Sequence, residues 1–123
     1  MLAVIYLADV LEPYCGNFTV WPGSHLFFQD YFKREGHQVL KEGMPRVELP
    51  MEPVQITGRA GDLVLAHYLI VHTAAPNGGP DVRYATIARL RHTAIEDTSL
   101  DTSYYDIWHE CPGLVEDAVT TDA

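Results

Sequence analysis

A histidine and an arginine that lie eleven residues apart are the pair of side chains in this sequence best suited to chemistry. His72 follows the apolar residues 69–71 and precedes a glycine-rich turn, and a neutral imidazole at the end of a strand is a good ligand for a first-row metal ion. Arg83 begins the next predicted strand, and its planar guanidinium can hold a carboxylate through two parallel hydrogen bonds. Since a hairpin would bring both strands to one region of a sheet, the spacing predicts a pocket for a cation and a carboxylic acid.

Both residues also have a simpler interpretation. A histidine beside apolar residues is more often a hydrogen-bonded structural group. Arg89 and Arg91 share the alternation of Arg83, so three of the eight basic residues fall within nine positions of an acidic chain. A buried arginine is costly without an anionic partner. We expect Arg89 and Arg91 to pair with acidic residues on a solvated face, whereas the spacing of Arg83 to His72 favours a functional role.

The elements that must position these residues are short strands separated by turns. One short helix is predicted at residues 27–33, and a loop is predicted at 35–45. The predicted strands are residues 2–10, 17–21, 46–56, 63–67, 69–75 and 83–91. Many short strands with little helix are typical of an all-β sandwich or barrel.

Composition limits the classes of protein. A chain of 123 residues fits one domain, and its net charge of −9 argues against nucleic acid or an anionic membrane as a partner. No apolar run is long enough to predict a membrane span. Two cysteines, Cys15 and Cys111, do not make a disulfide framework, and we expect a reduced, cytoplasmic setting. Residues 93–123 are acidic and weakly patterned; residues 104–108 are predicted to dock, and the last ten residues to fray.

Three segments resemble phytanoyl-CoA dioxygenase-like proteins. Residues 16–25, Gly-Asn-Phe-Thr-Val-Trp-Pro-Gly-Ser-His, resemble the G-x-L-x-x-x-P-G-S-H segment of that family. Residues 61–67 look like its Gly-Asp strand, and His72, Asn77 and Arg83 look like its distal H…N…R element. The segments come in the family's order, and the similar region covers about residues 2–91.

The resemblance implies a fold and an activity. The fold is a double-stranded β-helix, a jelly-roll or cupin-like architecture. Iron(II) is held by two histidines and one carboxylate, and 2-oxoglutarate is decarboxylated as a small-molecule substrate is hydroxylated. His72 matches the distal histidine ligand, and Arg83 matches the arginine that grips 2-oxoglutarate. Many members have a hydroxyl residue two positions after this histidine; here that position is Ala74, which leaves Thr73 as the candidate cosubstrate ligand.

The two other metal ligands of the family are not found in this sequence. They come from an H-x-D or H-x-E element, and none of the six histidines has an acidic residue two positions later. The resemblance therefore implies an incomplete β-helix at residues 1–95, beginning at about its third strand, and an acidic, partly disordered extension at 96–123. We expect the chain to be inactive alone, and to form a homo-oligomer or pair with another chain through exposed strand edges. A truncated reading frame is the other explanation.

The sequence also allows other interpretations. A cupin-like site in the chain itself would combine His25, His67 and His72, with Asp9 and Asp62 as nearby carboxylates. The domain would otherwise be a non-catalytic interaction module or a sugar- or ligand-binding jelly roll.

The segment 25–45 is expected to help shape a substrate entrance. Its aromatic residues either line that entrance or pack the segment itself; they are Phe27, Phe28, Tyr31 and Phe32.

Overall fold

A computed structural model describes residues 1–91, 93, 100–109, 111 and 113–114. The elements are β1 (Leu2–Tyr6), β2 (Phe18–Val20), α1 (Ser24–Glu35), a 3-10 helix (His37–Glu42), β3 (Val54–Gln55), β4 (Leu63–Ala66), β5 (His72–Ala74), β6 (Ala85–Arg89) and α2 (Leu100–Tyr105). The chain forms two compact units: Met1–Leu26 with Val47–Arg91, and Phe27–Arg46 with the described part of His92–Ala123. In the described part of the chain, no helix is long and apolar enough to cross a bilayer.

Six strands of the first unit form two three-stranded antiparallel sheets. One sheet has the order β4-β1-β6, and the other has the order β3-β2-β5. In the first, Val4 lies opposite Val64 and Ile87; in the second, Val20 lies opposite Val54 and His72. Small antiparallel sheets with few helices confirm the prediction of an all-β fold.

The core of this unit follows from the alternation of side chains along β1. Leu2, Val4 and Tyr6 are buried and lie two residues apart, so they share one face of the strand. They cluster with Phe18 and Val20 of β2. Burying side chains of this size contributes about 1.5–3 kcal/mol each, which makes this apolar cluster a main source of the unit's stability.

Tyr6 makes the most specific contact within this core. Its side chain is 0% exposed, and its hydroxyl donates a hydrogen bond to the carbonyl of Ile56 at 2.8 Å. The same hydroxyl accepts a hydrogen bond from the backbone N–H of Phe18 at 3.0 Å. Tyr6 thus ties β1 to the start of β2.

The strands are shorter than predicted, for identifiable reasons. Residues 46–56 contain two prolines, which lack the N–H that a sheet requires, and only Val54–Gln55 pairs. Residues 69–75 pair only at His72–Ala74, because the N–H groups of Leu69 and Ile70 bond back to His67. Here a turn replaces the predicted beginning of the strand.

The predicted helix at 27–33 extends in both directions to Ser24–Glu35. It begins immediately after Gly23, which has φ 87° and whose carbonyl accepts the N–H of Leu26. The predicted loop at 35–45 contains the 3-10 helix.

Aromatic side chains form the centre of the second unit. Phe28 and Phe32 are buried, and the rings of Phe32 and Tyr104 lie 5.1 Å apart. Ile107 is 3% exposed, and its N–H bonds to Gln29 Oε1 at 3.1 Å. The burial of Phe28 and Phe32 favours packing over an entrance lining for these two residues. Fraying was predicted for residues 114–123, all of which except Leu114 lie outside the described residues.

Candidate functional site

A buried serine fixes the chain just before His72. The hydroxyl of Ser24 accepts the N–H of Val71 at 2.8 Å, and the carbonyl of Val71 accepts the N–H of Trp21 at 3.0 Å. Ser24 is 0% exposed. The Pro-Gly-Ser turn between β2 and α1 therefore sets where β5, and with it His72, begins.

His72 is the first residue of β5, and its imidazole has a defined orientation. It lies opposite Val20, and its ring centroid is 5.6 Å from that of Phe18. Its Nδ1 is 3.0 Å from the carbonyl oxygen of Ile70. Because a carbonyl only accepts, Nδ1 carries the proton and Nε2 presents its lone pair, which is the arrangement that metal-binding histidines use. The side chain is exposed.

Arg83 is held against the beginning of β2. Its Nε donates to the carbonyl of Gly16 at 2.8 Å. Gly16 has φ 73°, and a Cβ placed on it would lie 3.2 Å from the Cβ of Arg83. Among the described residues Arg83 forms no ion pair, and neither do Arg89 and Arg91. The expected pairing of Arg89 and Arg91 with acidic residues is therefore not seen in this part of the chain.

The two candidate residues are connected along one segment of backbone. Arg83 contacts Gly16, two residues further on Phe18 contacts His72, and Val20 lies opposite His72. The predicted hairpin is wrong, because β5 and β6 lie in different sheets; His72 and Arg83 instead contact the two ends of the chain segment 16–20.

Thr73 is placed differently from His72. It lies opposite Thr19, and successive side chains of a strand point to opposite faces. Its hydroxyl is therefore directed away from the face that bears His72, while Ala74 shares that face. This placement does not bring Thr73 to the side of the sheet that carries the candidate metal ligand.

A groove of about 280 Å³ lies beside Arg83. Its wall also includes Asp9, Glu12 and Asp81, and His72 is not part of its lining. Asp9 Oδ1 accepts the N–H of Ala60 at 2.8 Å, which assigns this carboxylate to a turn. Three carboxylates and one guanidinium give the lining of the groove a net negative charge. The groove itself therefore favours a cation over a dicarboxylate.

The described residues do not assemble the cupin-like alternative. The rings of His25 and His67 lie 5.5 Å apart, but His67 Nδ1 accepts the N–H of Leu69 at 3.0 Å. Asp62 Oδ2 accepts the N–H of Arg59 at 2.8 Å. Within the residues that the structure describes, no group of three His, Cys, Asp or Glu side chains is placed to hold a metal ion. These residues therefore do not fit the iron site that the resemblance implies.

Burial defines the protonation state of His25. Desolvation of this ring lowers its pKa from the ordinary value of 6.5, because a buried imidazolium loses its hydration. The ring is therefore neutral at pH 7.

Asn17, which the sequence predicts only as the first residue of a strand, helps to form the site. It is 0% exposed, and its Oδ1 accepts the N–H of Cys15 at 2.9 Å. Its Nδ2 donates to the carbonyls of Glu12 at 3.1 Å and Ile56 at 3.2 Å. These bonds fix the turn that contains Gly16. The Gly16-Asn17 dipeptide, a common turn signal, was the indication available in the sequence.

The fold and these residues define an all-β domain in which the central strand β2 pairs with the strand that begins at His72, and the turn before β2 binds Arg83. A family model described as phytanoyl-CoA dioxygenase matches residues 5–85, from within β1 to the first residue of β6. The match covers more than half of the chain, including both His72 and Arg83, and the chain belongs to that family. Comparisons with curated proteins and with solved structures return no match.

Proposed function

We propose that this chain is the C-terminal part of a non-haem Fe(II)- and 2-oxoglutarate-dependent dioxygenase, a hydroxylase of a small molecule, and that it is inactive alone. Membership of the phytanoyl-CoA dioxygenase family supports the class of reaction. The observation that carries the proposal is the continuous path of contacts from His72 through Phe18 and Gly16 to Arg83. Both residues contact the chain segment 16–20: His72 from β5 with its Nε2 available, and Arg83 from just before β6 without an ion pair to a described residue.

In this proposal each residue has a limited role. Arg83 binds a carboxylate of 2-oxoglutarate, oriented by its bond to Gly16. His72 offers one metal ligand. One imidazole does not hold iron(II) against water and buffer, so the other ligands have to come from outside the described residues. Thr73 remains a weaker candidate for the cosubstrate, because it lies on the face opposite to His72.

The outer edge of β5 supports the proposal that the domain is incomplete. The N–H of Trp21 bonds to Val71, and the N–H of Ala75 bonds to the carbonyl of Asn17. In an antiparallel pair alternate residues bond to the partner strand, so the backbone groups of His72 and Ala74 face away from β2. A strand added there would lie directly beside His72. The same edge would serve in a homo-oligomer.

Binding of 2-oxoglutarate to the whole chain tests the proposed role of Arg83. We expect weak binding, with a Kd that is roughly millimolar. The chemical shifts of the backbone amides of Gly16 and Arg83 measure this binding. Arg83→Gln should abolish the shifts, whereas Arg59→Gln, which removes an exposed guanidinium elsewhere in the unit, should preserve them. No saturable binding, or equal binding by both variants, would exclude Arg83 as a cosubstrate residue.

A second candidate function is a non-catalytic ligand-binding or interaction module. The negative balance of the groove beside Arg83 and the absence of three grouped metal ligands among the described residues favour it. Titration with Co(II), a spectroscopic substitute for Fe(II), distinguishes the two in any oligomeric state. A stoichiometric visible absorption band that is lost in His72→Ala supports the oxygenase. No band in any assembly, with or without 2-oxoglutarate, supports the module.

A further inference from the structure

The outer edge of β6 presents backbone groups that β1 does not use. The N–H of Leu7 bonds to the carbonyl of Tyr84, and the N–H of Leu90 bonds to the carbonyl of Met1. Because alternate residues of an antiparallel strand bond to the same neighbour, even-numbered residues of this segment face β1. The residues whose N–H and C=O groups point outward are Ala85, Ile87 and Arg89.

The apolar face of the sheet continues onto this edge. Val4, which is 0% exposed, lies opposite Ile87, which is 55% exposed. Leu2 is buried and lies opposite Arg89, which is exposed. Opposite residues of an antiparallel pair share a face, so Ile87 extends the core face and is left open to solvent. A further strand beyond β6 would cover it.

The same segment is cationic in a chain of net charge −9. Arg89 and Arg91 are exposed and form no ion pair with the described residues. Around them are apolar side chains that are 50–63% exposed: Val82, Tyr84, Ile87 and Leu90. Outward backbone groups, exposed apolar side chains and guanidinium groups that pair with no described residue thus occur together within residues 82–91.

We propose that the outer edge of β6 is a docking site for an extended segment of another polypeptide in which acidic and apolar side chains alternate. Such a segment would pair with the outward backbone groups and place its carboxylates on the face that carries Arg89 and Arg91, while its apolar side chains would lie beside Tyr84 and Leu90 on the opposite face. A second copy of β6 fits less well, because it would bring two cationic edges together. This inference needs neither iron nor 2-oxoglutarate and is tested separately from the proposed function.

The test uses the whole chain and two synthetic heptapeptides, Glu-Val-Glu-Val-Glu-Val-Glu and its counterpart with lysine in place of glutamate. Amide chemical shifts are followed during titration. We expect the acidic peptide to shift the amides of Ala85, Ile87 and Arg89 and the lysine peptide to have no effect. Leu63 and Leu65 of β4, the opposite edge of the same sheet, provide an internal reference that should not move.

Charge reversal makes the test specific. Arg89→Glu should weaken binding of the acidic peptide by about fivefold, since an attractive cross-strand pair becomes repulsive, and should create binding of the lysine peptide. Arg59→Glu makes the same change in net charge at another exposed position and should alter neither affinity. Ile87→Pro removes an outward N–H without removing a bond to β1 and should abolish binding.

Four results would overturn the proposal. They are shifts centred on β4 instead of β6, equal binding of the two peptides, an equal effect of Arg59→Glu and Arg89→Glu, and sedimentation showing that the chain dimerises through β6 and excludes both peptides.

Discussion

Arg83 and Gly16 are matched to each other: the guanidinium Nε of Arg83 donates to the Gly16 carbonyl at 2.8 Å, and the missing Cβ of Gly16 leaves room for the Cβ of Arg83. Asn17 fixes the turn from which this carbonyl projects. Although the two residues are 67 positions apart in the sequence, they form one structural unit. The direction of Arg83 therefore depends on the conformation of the turn before β2.

Gly16→Ala should displace Arg83 as well as strain the backbone. Alanine at φ 73° costs about 1–3 kcal/mol, and its methyl group would lie 3.2 Å from the Arg83 Cβ, so that side chain must shift. Gly61→Ala is the matched control, because Gly61 has φ 96° and nothing within 4 Å. We expect denaturant unfolding to show a larger loss for Gly16→Ala, and the Nε–H resonance of Arg83 to move in that variant alone. An unmoved resonance would show that Gly16 does not orient Arg83.

Tyr6→Phe should lower the free energy of unfolding by about 1–3 kcal/mol, because it removes the hydroxyl that bonds both Ile56 and Phe18 inside the core. The exposed Tyr84 provides the comparison, and Tyr84→Phe should change stability by less than about 0.5 kcal/mol. Urea denaturation monitored by circular dichroism measures both values. Equal effects of the two substitutions would contradict the bridging role of Tyr6.

Ser24→Ala should weaken the hydrogen bonding that fixes the beginning of β5. The half-buried Val71 N–H would lose its acceptor, the buried Ser24 hydroxyl, at a cost of about 1–3 kcal/mol. Hydrogen exchange of the Val71 amide should accelerate more than that of β1 amides. Thr57→Ala, at an exposed hydroxyl, should leave the exchange of Val71 unchanged. If Val71 remains protected in Ser24→Ala, the Pro-Gly-Ser turn does not position His72.

The stability of the fold should decrease below about pH 6.5 because of His25. Its pKa is lowered by desolvation in the folded chain and is 6.5 in the unfolded chain. Between the folded value and 6.5 the unfolded chain binds more protons, so acidification through this range favours unfolding, and above 6.5 the contribution is constant. His25→Gln should flatten this part of the pH profile, while His109→Gln, at an exposed ring, should preserve it. A profile that is unchanged in His25→Gln would assign the effect to other groups.

The sequence by itself indicates those features of the protein that depend on local chemistry. The spacing of apolar residues and turn residues indicated short strands and an all-β fold. The segments containing Gly16, Asp62 and His72 indicated the phytanoyl-CoA dioxygenase family, which the match to residues 5–85 confirms. The absence of an H-x-D or H-x-E element is also a property of the sequence, since it can be read without knowing any distance.

Tertiary structure decided the rest, because long-range pairing places residues that no local pattern relates. Because side chains alternate along β5, Thr73 and His72 lie on opposite faces of the sheet although they are adjacent in sequence. The carboxylates that line the groove beside Arg83 belong to Asp9, Glu12 and Asp81. Asp9 and Glu12 are about seventy residues away from Arg83 in the chain. Only the fold showed that Gly16 receives the Arg83 guanidinium and that β6 ends its sheet with Ile87 uncovered. A sequence specifies which contacts are chemically possible, whereas chain folding selects the few that are geometrically compatible.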